Sequence, residues 1–175
     1  VNVSYLLSGG YTGMGDVANH PQRQAIEFAV SNRLLDGYSD KQFRPDATLK
    51  RSELAQYLLM GANVRQALPF NGLSSFSGLS PSDPRAAFAE AAVARGAPLR
   101  DFTHLQEGVM GKVGTAFRPN DGVTRVSLAY SLVQAMGLQA QAQSFSGELT
   151  AFYDGRRIPV EDASSIPLSL RGYVQ

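Results

Sequence analysis

Arg51 and Arg125 each stand where a loop full of turn formers gives way to an apolar helix. The first stretch reads GYSDKQFRPDATLKRSELAQYLL from Gly37, the second GKVGTAFRPNDGVTRVSLAYSLV from Gly111. The first turn of a helix presents unpaired backbone N–H groups and about half a positive charge, so it favours anions. A cation placed there opposes the dipole by roughly 0.3–1 kcal/mol. Something must offset each arginine, and the candidates are a neighbouring carboxylate or a bound anion. Glu53 follows Lys50 by three positions, where a capping-box acid folds back onto the N-cap N–H. In the second copy Thr124 is a good N-cap, Ser127 replaces the acid, and Asp121 is the nearest carboxylate.

Two uses of the arginines stay open on these residues. In one they are structural, pairing with loop acids such as Asp46 or Asp121 and bonding loop carbonyls. In the other they receive a carboxylate, gripped bidentately by guanidinium and supported by helix N–H groups. Arg44, Arg118, Lys50 and Thr124 then line the same mouth. Asp40 belongs to the first loop either as the acceptor of an Asx-turn or, with Asp46, as a cation ligand. Phe43 and Phe117 are expected to plug their loops into the core, and Pro45 and Pro119 to fix the turns. His20 and His104 show no metal-ligand spacing, and no metal or cofactor is expected.

Bulk composition narrows the classes. At 175 residues, with 43% hydrophobic and 18% charged, the chain can bury a core. A net charge of +1 argues against nucleic acid bound through bulk charge, so any charge-based recognition is local. There is no cysteine, hence no disulfide framework or thiolate site. No apolar run approaches the roughly 20 residues that cross a bilayer. The chain starts at Val1 without an initiator Met and reads as a processed or excised piece of something longer. Lysine occurs only at Lys41, Lys50 and Lys112, so arginine supplies most of the positive charge.

The elements that position these residues follow from periodicity. After an extended, then Gly-rich opening, His20-Pro21 and the apolar spacing of Ala25, Ile26, Ala29, Val30 and Leu34 predict a helix over about 21–35. The next helix, about 51–60, should bury Leu54, Ala55, Leu58 and Leu59. Helices over about 83–95 and 124–136 repeat the pair, with Pro84 at a first turn. An insertion, APLRDFTHLQEGVM, separates the third helix from the second loop, and part of it reads as an added helical turn. Asp154-Gly155 between alternating residues signals a two-residue β-hairpin. The expected fold class is mainly α: tandem helix-loop-helix repeats in a small pseudo-symmetric bundle, with a short hairpin near the C-terminus. The expected organisation is repeat 1 over 1–65, a Ser/Gly/Pro linker over 66–82, repeat 2 over 83–140, a hairpin connector over 141–161, and the start of a truncated third repeat over 162–175.

This pattern resembles the S-layer homology family, whose repeats pair two helices around a loop close to G-Y-x-D-G-x-F-x-P and a T-R-A-E-like helix start. Gly37, Tyr38, Asp40, Phe43, Pro45, Arg51 and Glu53 match in the first copy, with Lys41 in place of the second Gly and Lys50 in place of Thr. Gly111, Phe117, Pro119, Thr124 and Arg125 match in the second, which lacks the Tyr and Asp and has Ser127 for Glu. The likeness covers roughly 14–61 and 83–137, with a weaker trace over 160–175. It implies non-covalent anchoring of a secreted protein to acidic, including pyruvylated, cell-wall polysaccharide at the cell surface or envelope. Under that implication Arg51 and Arg125 meet the acidic substituent and Tyr38 stacks on a sugar ring.

The chain carries no G-x-S-x-G elbow, H-E-x-x-H, P-loop or dinucleotide fingerprint, and a non-catalytic role is expected. One alternative is an accessory module covalently joined to the catalytic domain of a larger secreted enzyme, such as a subtilisin-like protease. Another is a protein–protein assembly unit, since repeat folds need about three units to close a core.

Overall fold

The structure, a computed structural model, describes residues 14–32, 35–61, 74–98 and 101–175. The predicted Gly-rich opening over 1–13, the helix positions 33–34 and the linker positions 66–73 lie outside them. The described residues hold six α-helices and one two-stranded antiparallel sheet, so the protein is mainly helical. No helix among them is long and apolar enough to cross a membrane. The chain divides into two compact units, Val1–Thr48 and Leu49–Gln175. The division falls inside the first predicted repeat, between its loop and its second helix.

The first unit is built around α1 (Arg23–Ser31), which buries Ile26 and Val30 against Val17, with Met14 and Phe43 packed on that cluster. The entrance to α1 is a 3-10 turn, Gly15–Val17, rather than open loop. That turn aims the Asp16 carboxylate at the loop, where it accepts from Phe43 N at 3.0 Å and Arg44 N at 2.6 Å. Asp16 therefore clamps the Phe-Arg-Pro loop to the helix entrance. Lys41 has φ 63°, the left-handed conformation that glycine adopts most cheaply, which explains why the matching loops place Gly there.

The second unit contains α2 (Arg51–Gly61), α3 (Pro84–Val93), α4 (Arg125–Ala135), α5 (Gln139–Ser144), β1 (Thr150–Tyr153), β2 (Arg156–Pro159) and α6 (Arg171–Val174). Its main core joins Leu54, Ala55 and Leu58 of α2 to Ala86, Ala89 and Ala92 of α3, with Val109, Met110 and Phe117. Leu59 packs on this core while remaining partly exposed. Small alanines on α3 let it lie close to α2. Phe117 is fully buried and its ring sits 5.5 Å from that of Phe76, so the second loop is plugged into the core as expected. Phe76 and Leu79 are buried too, which makes residues 74–82 part of the core despite their Ser/Gly/Pro composition.

Asp83 caps α3, accepting from Arg85 N, and Pro84 occupies the first turn. The insertion forms no added helical turn over 101–110. Buried Asp101 instead accepts from Thr103 N, Thr103 Oγ1 and Gln106 N, consuming the donors that a helix would need. Downstream, α6 packs on α5 and α4, with Tyr173 buried and its ring 4.8 Å from Tyr130. Strands β1 and β2 pair Thr150 with Pro159 and Tyr153 with Arg156 around Asp154-Gly155, as the sequence predicts.

Phe117→Ala should destabilise the second unit by roughly 3–5 kcal/mol, read by urea denaturation, because it deletes a fully buried ring. Acid should also unfold the protein from a defined side. Guanidinium and backbone N–H donors of Arg85 hold the Asp83 carboxyl at about 2, below its ordinary 3.8. Burial pushes Asp101 up, but the bonds from Thr103, Gln106 and Leu105 outweigh it and leave it low. Folded carboxyls below their unfolded values contribute stability that is complete above the ordinary range. Thermal midpoints should therefore hold above about pH 4 and fall as pH drops toward 2.

Candidate functional site

The two Phe-Arg-Pro loops lie in different units, and each site is described within its own unit. In the first, Arg44 has φ 59° and its guanidinium donates to Asp40 Oδ2 at 2.6 Å while lying 4.2 Å from the centre of the Tyr38 ring. The Arg44 hydrogen bond holds the Asp40 carboxyl below its ordinary range. Asp40 also accepts from Gln42 N at 3.1 Å, which is the Asx-turn of the sequence reading. Asp46 turns away to His20, 3.4 Å from its Nε2. Tyr38, Asp40 and Arg44 thus form one stacked, charge-balanced group.

In the second unit the starts of α2 and α4 are joined by backbone. Lys50 and Gly122 form an antiparallel bridge, and Val123 N donates to Leu49 O at 2.8 Å. Orphan donors of α2 are filled from the second loop: Arg51 N donates to Asp121 O and Ser52 N to Pro119 O, both at 3.0 Å. Lys50 N donates to Glu53 Oε2 at 2.8 Å, the acid's half of a capping box, while the Lys50 side chain has no acceptor to return the bond. On α4, Thr124 Oγ1 accepts from Ser127 N at 3.2 Å, but Ser127 is too short to reach back and its hydroxyl bonds the Thr124 carbonyl instead.

The junction arginines, alike in sequence, diverge here. Arg51 is half-buried and its Nε donates to Phe117 O at 2.7 Å, a terminal nitrogen to Gly111 O at 2.6 Å. Its guanidinium carbon stands 4.8 Å from the Phe117 ring centre. Burial lowers its pKa, and the charge of Asp121 opposes that shift. The unfavourable helical field is thus offset by neutral carbonyls and a ring face, which keep the guanidinium charged while pinning the second loop. Arg125 is exposed, and among the described residues its side chain has no hydrogen bond or ion pair. Lys50 is exposed as well. Arg118, with φ 55° like its counterpart Arg44, is exposed and reaches Asp121 only at 3.7 Å.

The Lys50–Gly122 bridge thus sets exposed Lys50 against the segment that runs from Arg118 to Thr124 and Arg125, which are exposed as well. Tyr38, Asp40 and Arg44 lie in the other unit. Two residues central to these loops escaped the sequence reading as functional parts. Asp16 orients the first loop, and Asn120 anchors the second by accepting from an Arg85 terminal nitrogen at 2.8 Å. The only sequence signal for Asp16 was its place in the helix entrance, GMGDVANHP.

Repeated left-handed arginines, a carboxylate cap on the start of α2 and a loop that caps the neighbouring helix define a helix-loop-helix fold. Residues 14–55 match the family model of the S-layer homology domain, the family whose loop and helix-start motifs the sequence resembles. It is 24% identical over 160 residues to Exoglucanase XynX of Acetivibrio thermocellus, covering 87% of this chain and 13% of that protein. It is 24% identical over 143 residues to Amylopullulanase of Thermoanaerobacterium thermosulfurigenes, covering 82% and 7% respectively. Against Endo-1,4-beta-xylanase A of Thermoanaerobacterium saccharolyticum identity is 28% over 110 residues, 63% of this chain and 8% of the relative. The chain thus spans about a tenth of the length of these curated relatives.

The two arginines should separate cleanly on mutation. Arg51→Ala is expected to cost roughly 2–3 kcal/mol of stability, since it removes two charged hydrogen bonds and strands the Phe117 carbonyl. Arg125→Ala should stay within about 0.5 kcal/mol of wild type. Equal losses in urea denaturation would show that the arginines do the same job.

Proposed function

We propose that the chain is a non-catalytic anchoring module that holds a secreted protein at the cell envelope by binding acidic wall polysaccharide. The observation that carries this reading is the exposure of Lys50, Arg118 and Arg125 at or beside the joined starts of α2 and α4, which we read as one rim; Arg125 has no acid of its own among the described residues. A pyruvyl ketal presents a carboxylate that one guanidinium can grip through two parallel bonds. Thr124 and the dipole of α4 support an anion at the same place. Arg51 serves from below, holding the Phe117 and Gly111 carbonyls so that the rim keeps its shape. In the first unit Tyr38 and Arg44 offer a ring and a cation for a sugar, with Asp40 setting the guanidinium's plane.

The share of each relative covered supports a second reading that is compatible with the first. A segment matching 13%, 7% and 8% of enzymes named for glucan, pullulan and xylan chemistry is suited to be an accessory part of a larger secreted enzyme. The catalytic partner favoured by those names acts on polysaccharide rather than on protein.

Co-sedimentation with purified wall polysaccharide, pyruvylated and depyruvylated, tests the anchor. The wild type should bind the pyruvylated polymer, and Lys50→Ala with Arg125→Ala should weaken binding roughly tenfold or more. Undiminished binding by that double variant would remove the rim from the mechanism.

A further inference from the structure

The hairpin β1–β2 takes no part in the rim, yet it displays two large rings to solvent. Phe152 is 76% exposed and Tyr153 72%. As neighbours on one strand they face opposite sides of the hairpin. Register places Arg157 across from Phe152 and Arg156 across from Tyr153, so each face carries one ring beside one guanidinium. All four side chains are exposed, and among the described residues none has an ion pair or ring contact. Asp154 is the single acid within residues 150–159.

The root of this platform is fixed even though its tip is bare. Gln175 accepts from Thr150 N at 2.9 Å and donates to Thr150 O at 3.3 Å, while Val160 N donates to Leu149 O at 3.0 Å. Leu149 is buried beneath. Asp154 and Gly155 have φ 46° and 74°, the paired left-handed residues of a turn whose twist matches the strands. Rings on a rooted hairpin are presented with little conformational freedom left to lose on binding.

The size and placement of these groups decide what they fit. A buried aromatic side chain covers about 150–250 Å², whereas a stable protein contact takes about 800 Å² per partner. With the rings on opposite faces, no single protein surface covers both. One pyranose needs only one ring face for its C–H groups, and a carboxylate substituent needs only the guanidinium alongside. We propose that the hairpin is a second contact surface for the acidic polysaccharide, with Phe152/Arg157 and Tyr153/Arg156 each gripping one acidic sugar. The inference rests on the anchor reading and adds a site away from the helix starts.

The test is titration of the whole chain with purified wall polysaccharide, before and after mild acid removal of its ketal-linked carboxylates. Sugar C–H proton signals should move upfield on binding, because they come to lie over the faces of the Phe152 and Tyr153 rings. Phe152→Ala with Tyr153→Ala should weaken binding of both polymers by roughly tenfold. Arg156→Gln with Arg157→Gln, which keeps long polar side chains should the aromatic pair disturb the strands, should weaken only the acidic one. Wild-type affinity in both hairpin variants, alongside loss in Lys50→Ala/Arg125→Ala, overturns the hairpin site and leaves the anchor reading standing. Indifference of the wild type to both polymers overturns the anchor reading and this inference with it.

Discussion

The first turn of α2 has donors that its own helix cannot satisfy, and the second loop supplies the acceptors. Asp121 and Pro119 carbonyls take the Arg51 and Ser52 N–H groups, while the Arg51 side chain reaches back to Phe117 and Gly111 carbonyls. Each side thus settles what the other leaves open. Donors left unpaired in that position would cost about 1–3 kcal/mol apiece, which is more than a surface ion pair returns. The exchange also fixes where the loop lies, and with it the burial of Phe117 and the positions of Lys50 and Arg118.

That exchange accounts for a cation at a helix start. The guanidinium makes no ion pair, although the charge of Asp121 reaches it. It is held by neutral carbonyls and by the face of Phe117, so its charge survives close to the surface instead of being cancelled within the protein. In the proposed role a field assembled in this way acts on an anion although the chain's net charge is only +1. Local placement matters here, and bulk charge does not.

The two copies of the pattern are not alike in use. The first has its acid at the third helical position, capping the Lys50 N–H; the second has Ser127, which folds onto the Thr124 carbonyl, and its Arg125 is exposed. The first loop is tied by Asp16 and balanced by Asp40, while the second is tied by Arg51 and Asn120. Shared backbone form, seen in the left-handed Arg44 and Arg118, persists beneath these different ties. One loop geometry is thus held by two different sets of contacts.

Local chemistry wrote much of this into the sequence. Apolar spacing located α1 to α4, Asp154-Gly155 placed the hairpin turn, and Glu53 and Thr124 announced their caps, because each depends on residues only a few positions apart. The aromatic plugs were legible too, since a lone Phe amid turn formers has little else to do. Tertiary structure alone decided that Phe76 and Leu79 belong to the core, and that Asp101 would spend its oxygens on a loop where a helical turn was expected. It alone decided that Arg51 and Arg125, alike in their place at a helix start, would take opposite environments. The reason is distance along the chain: the Gly111 and Phe117 carbonyls that claim Arg51 stand 60 and 66 residues away, beyond the reach of any periodicity or spacing rule.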